Sequence, residues 1–215
     1  TPKISSKVKK IIQNALVLAS EDFENGHLYK SIFKMKHLLD RAYCLNLKDV
    51  CCIIYKKLGV FRLRMGDFKE AEHDFADAAV LASSLEDHEQ IFEIDIYRSI
   101  VILEKNNNKT GASLAIERLL RSKGDKKHPF FNAVCAWATA HLGDIRNQQR
   151  CLKRYYANQN SEYGKNEHLF YLQFVARSLK ILKQEEKIPD LIKELSITNT
   201  FIKWEYGKIL PQYFQ

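Results

Sequence analysis

The sequence predicts an all-α protein. Three observations carry that reading. Apolar residues recur at helical spacing along the chain, glycine-aspartate turns recur between the periodic stretches, and no alternating strand pattern with hairpin turns occurs anywhere.

The elements follow in order. Ile11, Ile12, Ala15, Leu16, Leu18, Ala19 and Phe23 keep the 3.6-residue spacing of an amphipathic helix. After a turn near Gly26, Ile32, Met35, Leu38, Leu39 and Tyr43 predict its partner. The second pair turns at Gly66-Asp67, where glycine supplies the left-handed conformation that ends one helix and aspartate caps the next. Glu70, three residues after Asp67, completes a capping box. A third pair is read from Ile96, Ile100 and Leu103, then Ala112, Ile116 and Leu119, with its turn at Asn106-Asn107-Asn108. The fourth opens at Pro129, a favourable first-turn residue, runs through Ala136, Trp137 and Ala140, and turns at Gly143-Asp144 into a helix carrying Leu152 and Tyr155. The fifth joins Leu172, Val175, Ala176 and Leu179, past a turn near Gln184, to a short helix that Pro189 would start. A last helix is expected within Asn199 to Gln215, around Phe201, Ile202 and Trp204 before Pro211.

The stretch from Tyr55 to Ser83 says most about the scaffold. Tyr55, Leu58 and Gly59 precede the Gly66-Asp67 turn, and Ala71, Phe75 and Ala78 follow it. Small residues at positions 59, 71 and 78 let two helices approach closely, while Tyr55, Leu58 and Phe75 fill the space around the contact. This pattern resembles the tetratricopeptide repeat (TPR) family, whose units are antiparallel helix pairs of about 34 residues stacked into a solenoid. The best repeat covers residues 52–85. Two positions depart from the family: Arg62 stands where an aromatic is usual, and Ser83 where proline commonly ends the unit. Phe61 is expected to supply the missing packing. Turn markers fall roughly 40 residues apart, above the family period, so longer helices are expected. The resemblance implies a right-handed solenoid of about five TPR-like helix pairs plus a C-terminal helix, one domain over residues 1–215.

Composition bounds the function classes. Hydrophobic residues make up 46% and charged residues 28%, the balance of a folded chain rather than a disordered one. No apolar run exceeds six residues, so the ~20 that a membrane-spanning helix requires are missing. No basic segment leads into an apolar one as in a signal peptide. Beginning at Thr1-Pro2 rather than Met, the sequence leaves room for an upstream segment. Five cysteines, Cys44, Cys51, Cys52, Cys135 and Cys151, are an odd number in apolar helical contexts, which points to reduced thiols and a cytoplasmic home.

Chemistry is sparse. There is no glycine-rich phosphate loop, no nucleophile elbow and no HExxH. The seven histidines are scattered, with no pair at metal-ligand spacing. Cys51 and Cys52 are adjacent, so a helix would set them about 100° apart, which disfavours joint chelation. No catalytic residue, metal or cofactor is therefore expected, and the chain reads as a binding protein rather than an enzyme.

A solenoid of this kind presents a concave surface lined by the first helix of each pair. Carried over from the family, the ligand-facing positions of the best unit are Lys56, Val60, Leu63 and Arg64. The same offsets in later units give Tyr97, Val101, Trp137, His141, Gln173 and Arg177, with Arg98 nearby. Aromatic surface mixed with basic and amide donors suits an extended or helical peptide that carries acidic groups. Trp137 reads equally as core packing, and Lys56 and Arg177 as solvated. A clamp for the acidic C-terminus of chaperones is disfavoured, because Val60 stands where that subtype has asparagine.

The charge pattern offers an alternative. Residues 111–160 carry nine Lys/Arg against three Asp/Glu. Arg146, Arg150, Lys153 and Arg154 share one helical face, and Arg118, Arg121, Lys123, Lys126 and Lys127 lie close in sequence. This would serve an anion or nucleic acid, although only Tyr155 and Tyr156 offer stacking there, and the plainer reading is a solvated outer face. The leading expectation is a module that binds a protein or peptide in its groove. The alternatives are the peptide-sensing part of a bacterial quorum-sensing regulator, which resembles this chain in its roughly 40-residue pairs, above the usual TPR period, and a nucleic-acid binder using the basic face. A homodimer is compatible with each; a membrane partner is not expected.

Overall fold

A computed structural model describes the backbone of residues 2–158 and 165–184, and the side chains of residues 6–158 and 171–184. Among the described residues there are nine α-helices and no strand, as the periodicity predicts. They are α1 (Pro2–Glu24), α2 (Leu28–Cys44), α3 (Lys48–Met65), α4 (Phe68–Ser84), α5 (His88–Lys105), α6 (Lys109–Arg121), α7 (Pro129–His141), α8 (Ile145–Ala157) and α9 (Lys165–Ile181). No described helix is long and apolar enough to cross a membrane. The expected helix at Pro189 and the terminal helix lie outside the described residues. The chain divides into two compact units, Thr1–Val101 and Ile102–Gln215, each with its own packing.

In the first unit α1 packs on α2, α2 on α3 and α3 on α4, and α1 also touches α3. The buried stripe of α1 is Ile12, Leu16, Ala19 and Phe23, one face of a 3.6-residue helix; Ile11 and Leu18, one step off that face, are exposed. Met35, Leu38, Leu39 and Ala42 of α2 close over it, joined from α3 by Val50, Ile54, Leu58 and Phe61. Phe61 does fill space, but against α1: its ring stacks on Phe23 at 3.9 Å. Tyr43 ends outside the core, half exposed, with its hydroxyl 3.3 Å from that of Tyr55.

The helices of this unit end by one shared device. Gly26, Asn46, Gly66 and Glu86, each 20 residues after the last, take positive φ. Each donates its N–H to the carbonyl three residues back, and the next residue donates to the carbonyl five residues back, as with Gly66 to Leu63 and Asp67 to Arg62. Those bonds satisfy carbonyls that a helix end leaves without partners. Two helices and two turns thus span 40 residues. Ion pairs obey the same period: Lys9 pairs with Asp49, and Glu24 with Arg64, both 40 residues apart, joining α1 to α3. The turns at Asn46 and Glu86 carry no glycine, which is why the sequence did not reveal them.

In the second unit α7 is the hub, packed by α6, α8 and α9. Every residue from Pro129 to Ala140 is buried, so α7 is apolar on all sides and has no solvent face. Its first turn is capped by His128, whose Nδ1 accepts from the Phe130 N–H at 3.2 Å. The buried Asn132 side chain donates to the carbonyls of Lys126 and His128, both at 3.0 Å, and so fixes the loop that leads into the helix. Gly143, at positive φ, ends α7, and the Asp144 carboxylate accepts from the Asn147 N–H at 3.0 Å to start α8. From α9, Tyr171 and Phe174 meet Phe130, and Phe174 meets Trp137.

Candidate functional site

Residues 52–85, expected to hold the best repeat, fall on the pair α3–α4. Gly59 lies against the Phe75 ring so closely that a Cβ there would stand 2.6–2.9 Å from three ring carbons. Ala71, Phe75 and Ala78 are fully buried, and the Cys52 thiol donates to the Ala78 carbonyl at 3.4 Å. Arg62, the departure from the aromatic pattern, is buried as well. Its guanidinium donates to Asp74 of α4 at 2.8 Å and lies 3.4 Å from Glu70. A hydrogen-bonded arginine and aspartate from the two facing helices thus stand where the family pattern has an aromatic. Burial pushes the Asp74 carboxyl up to about 7, against the pull of Arg62.

The positions of α3 and α5 expected to face a ligand are less free than the family pattern implies. The Lys56 ammonium is 2.5 Å from Glu93 of α5. The Arg64 guanidinium donates to both Glu24 oxygens, at 2.8 and 3.3 Å, and lies 4.6 Å over the Phe23 ring. Leu63 is buried and Val60 half-buried. Tyr97 stacks on Phe75 at 5.3 Å with near-parallel rings, which ties it to the α4 core. Arg98 is half-buried on α5, and Val101 is buried.

In the second unit three of the expected residues, Trp137, His141 and Arg177, come together on α7 and α9. Trp137 is only 3% exposed and belongs to the core, stacked on Phe174 at 5.5 Å. Above it the Arg177 guanidinium lies 4.9 Å over the indole and is ion-paired with Glu104. His141 sits 5.9 Å from Trp137. Burial first, and the Arg177 charge second, hold its pKa below the usual histidine value, with Glu104 opposing. Its Nε2 is buried without a hydrogen-bond partner among the described residues. Gln173 is half-buried one turn of α9 before Arg177. Trp137 therefore lies beneath a charged layer made by Arg177 and Glu104.

Glu24, Glu93 and Glu104 are the residues that sequence reasoning missed. Each holds a cation from 37 to 73 positions away, and no local signal marks such a pair.

The alternative face is differently placed. Arg146, Arg150, Lys153 and Arg154 are all exposed on α8, whose buried side is Gln148, Leu152 and Tyr155. None of the four makes an ion pair among the described residues; Arg150 donates to the Asn147 amide oxygen at 3.2 Å. Tyr155 is buried, which leaves Tyr156 as the accessible ring. Arg121 is paired with Glu117 at 2.5 Å, and Lys126 donates to the Leu120 carbonyl at 2.7 Å.

Among the described residues, no three His, Cys, Asp or Glu side chains converge as metal ligands would. No protein-family model, curated protein or solved structure matches the chain.

Proposed function

We propose that the chain is a TPR-like interaction module that binds an acidic peptide segment of a partner protein, in a right-handed solenoid of about five helix pairs plus a C-terminal helix. One observation carries this reading. At the expected ligand-facing positions Lys56, Arg64 and Arg177, a half-buried cation is already held by a glutamate of the chain itself. In such a partly desolvated place a carboxylate partner is worth more than at an open surface. An acidic peptide would exchange with the resident glutamate, carboxylate for carboxylate. The resident pair sets a threshold that weakly acidic chains do not pass.

Exchange makes a distinctive expectation. Glu104→Gln frees Arg177 without adding a contact, so it should tighten binding of a labelled oligoglutamate peptide, read by anisotropy. Arg177→Gln should weaken it. Equal affinity in wild type and Glu104→Gln would contradict exchange at this position.

A second reading is favoured by the four exposed cations on α8, which suit a polyanion. It expects a homopolymeric RNA to bind through Arg150 and Arg154 with steep salt dependence, since each neutralised phosphate releases condensed counterions.

A further inference from the structure

Turns and ion pairs of the first unit keep a 40-residue period, with Gly26 and Gly66 following α1 and α3, and Lys9–Asp49 and Glu24–Arg64 joining equivalent positions. The two helices can therefore be compared residue by residue. Leu47 at the N-cap of α3, then Cys51, Ile54, Leu58 and Phe61, form the stripe that α3 sinks into the core it shares with α1 and α2. Forty residues earlier the same stripe on α1 reads Lys7, Ile11, Asn14, Leu18 and Glu21, and all five are exposed. Ile11 and Leu18 are 58% and 57% exposed, where Cys51 and Leu58 are each 1% exposed. A single exposed leucine needs no explanation. Two large apolar residues on the stripe that the equivalent helix buries mark a packing face left open among the described residues.

We propose that this face of α1 is an interface between two copies of the chain, paired antiparallel about a twofold axis at Asn14. Spacing and charge select that occupant. From Lys7 to Glu21 the intervals are four, three, four and three residues, the narrow seam along which two helices pair. The seam is basic at one end and acidic at the other, with its two apolar residues between them. Antiparallel pairing sets Lys7 of each copy towards Glu21 of the other and gathers both Ile11 and both Leu18 side chains around the axis. There each apolar side chain leaves water, which drives the contact.

Asn14 falls on the axis, where its amide can donate to and accept from its own counterpart. A parallel pairing would set lysine on lysine and glutamate on glutamate, so the charges decide the direction as well as the partner. The mirror order of the charges is what a second copy requires and what an unrelated protein would not. A twofold contact of this kind closes on itself and stops at two chains. None of Lys56, Arg64 and Arg177 belongs to the seam, so this inference does not depend on what the module binds.

The test uses the full chain in sedimentation velocity, from low to high micromolar concentration at low salt. The expected result is a concentration-dependent shift towards twice the 25.1 kDa of one chain. Leu18→Glu, which replaces an exposed side chain and so spares the fold, should sediment as a single chain throughout. Lys7→Glu and Glu21→Lys should each lose the dimer, and the double variant Lys7→Glu/Glu21→Lys should recover it. A zero-length carbodiimide crosslink reads the orientation without any variant. Lys7 and Glu21 are 14 residues apart on one helix, roughly 21 Å along its axis, too far to be joined within a copy. The expected Lys7–Glu21 crosslinked peptide can therefore come only from two chains. A wild type that stays monomeric at every concentration, or a dimer that survives Leu18→Glu and yields no Lys7–Glu21 crosslink, would overturn the proposal.

Discussion

At the scale of single residues, the α3–α4 pair turns on one missing Cβ. Gly59 is not at a turn; it is helical, and its place is set by the Phe75 ring pressed against it. Gly59→Ala should therefore destabilise the first unit by about 1–3 kcal/mol through overpacking, read as a lowered urea midpoint. An unchanged midpoint would mean that the ring moves aside freely. Asp74 gives a second residue-scale expectation, in pH. Its carboxyl is raised by burial to about 7, above the ordinary 3.8. The sign follows from linkage: a raised folded value means that the folded state binds the proton more tightly. The stability this group contributes is full below pH 4 and is lost as pH rises towards 7. Asp74→Asn removes that slope, so the wild type's urea midpoint relative to the variant's should fall between pH 5 and pH 8. A relative rise would show that the Arg62 pairing outweighs burial.

At the scale of elements, the helices were legible and some of their ends were not. Gly66-Asp67 and Gly143-Asp144 announce their turns by residue type, and the Asp67 carboxylate does accept from the Glu70 N–H. Asn46 and Glu86 make the same turn, but no glycine marks them. Asparagine tolerates the left-handed conformation; glutamate is strained there. Replacing Glu86 with glycine should relieve that strain and raise stability by about 1 kcal/mol, less the extra freedom glycine gains when unfolded. Capping makes a converse expectation at α6. The Asn108 side chain accepts from the Gly111 N–H at 2.9 Å, so Asn108→Ala should cost about 1 kcal/mol. Urea titration of both variants checks the pair, and a loss at position 86 would mean that the glutamate side chain holds the turn by contacts of its own.

At the scale of the whole molecule, the sequence reveals amphipathic stripes more readily than it reveals ligand-facing charge. Helix α7 shows why. Its run of Ala, Val, Cys and Trp was read as the first helix of a pair with one face to a groove, yet α6, α8 and α9 cover it and Trp137 is core. Periodicity finds the buried side of a half-buried helix, and it has nothing to find in a helix buried all round. Charge fails for a different reason. Lys56, Arg64 and Arg177 look like the basic faces of separate helices, and only the fold brings Glu93, Glu24 and Glu104 to them. The four basic residues of α8, by contrast, are all exposed, as their spacing on one helical face predicts, because exposure on one helix is a local property.

In the proposed function an acidic peptide binds by exchanging with resident glutamates rather than at the open basic face. One titration tests it most directly: a labelled oligoglutamate peptide against wild type, Glu104→Gln and the double variant Arg150→Gln/Arg154→Gln, at low and moderate salt. Exchange predicts tighter binding to Glu104→Gln, a largely unchanged double variant, and affinity that survives moderate salt, because a partly buried pair is screened less than exposed charges. Binding lost in the double variant and with rising salt, while Glu104→Gln matches wild type, would contradict it.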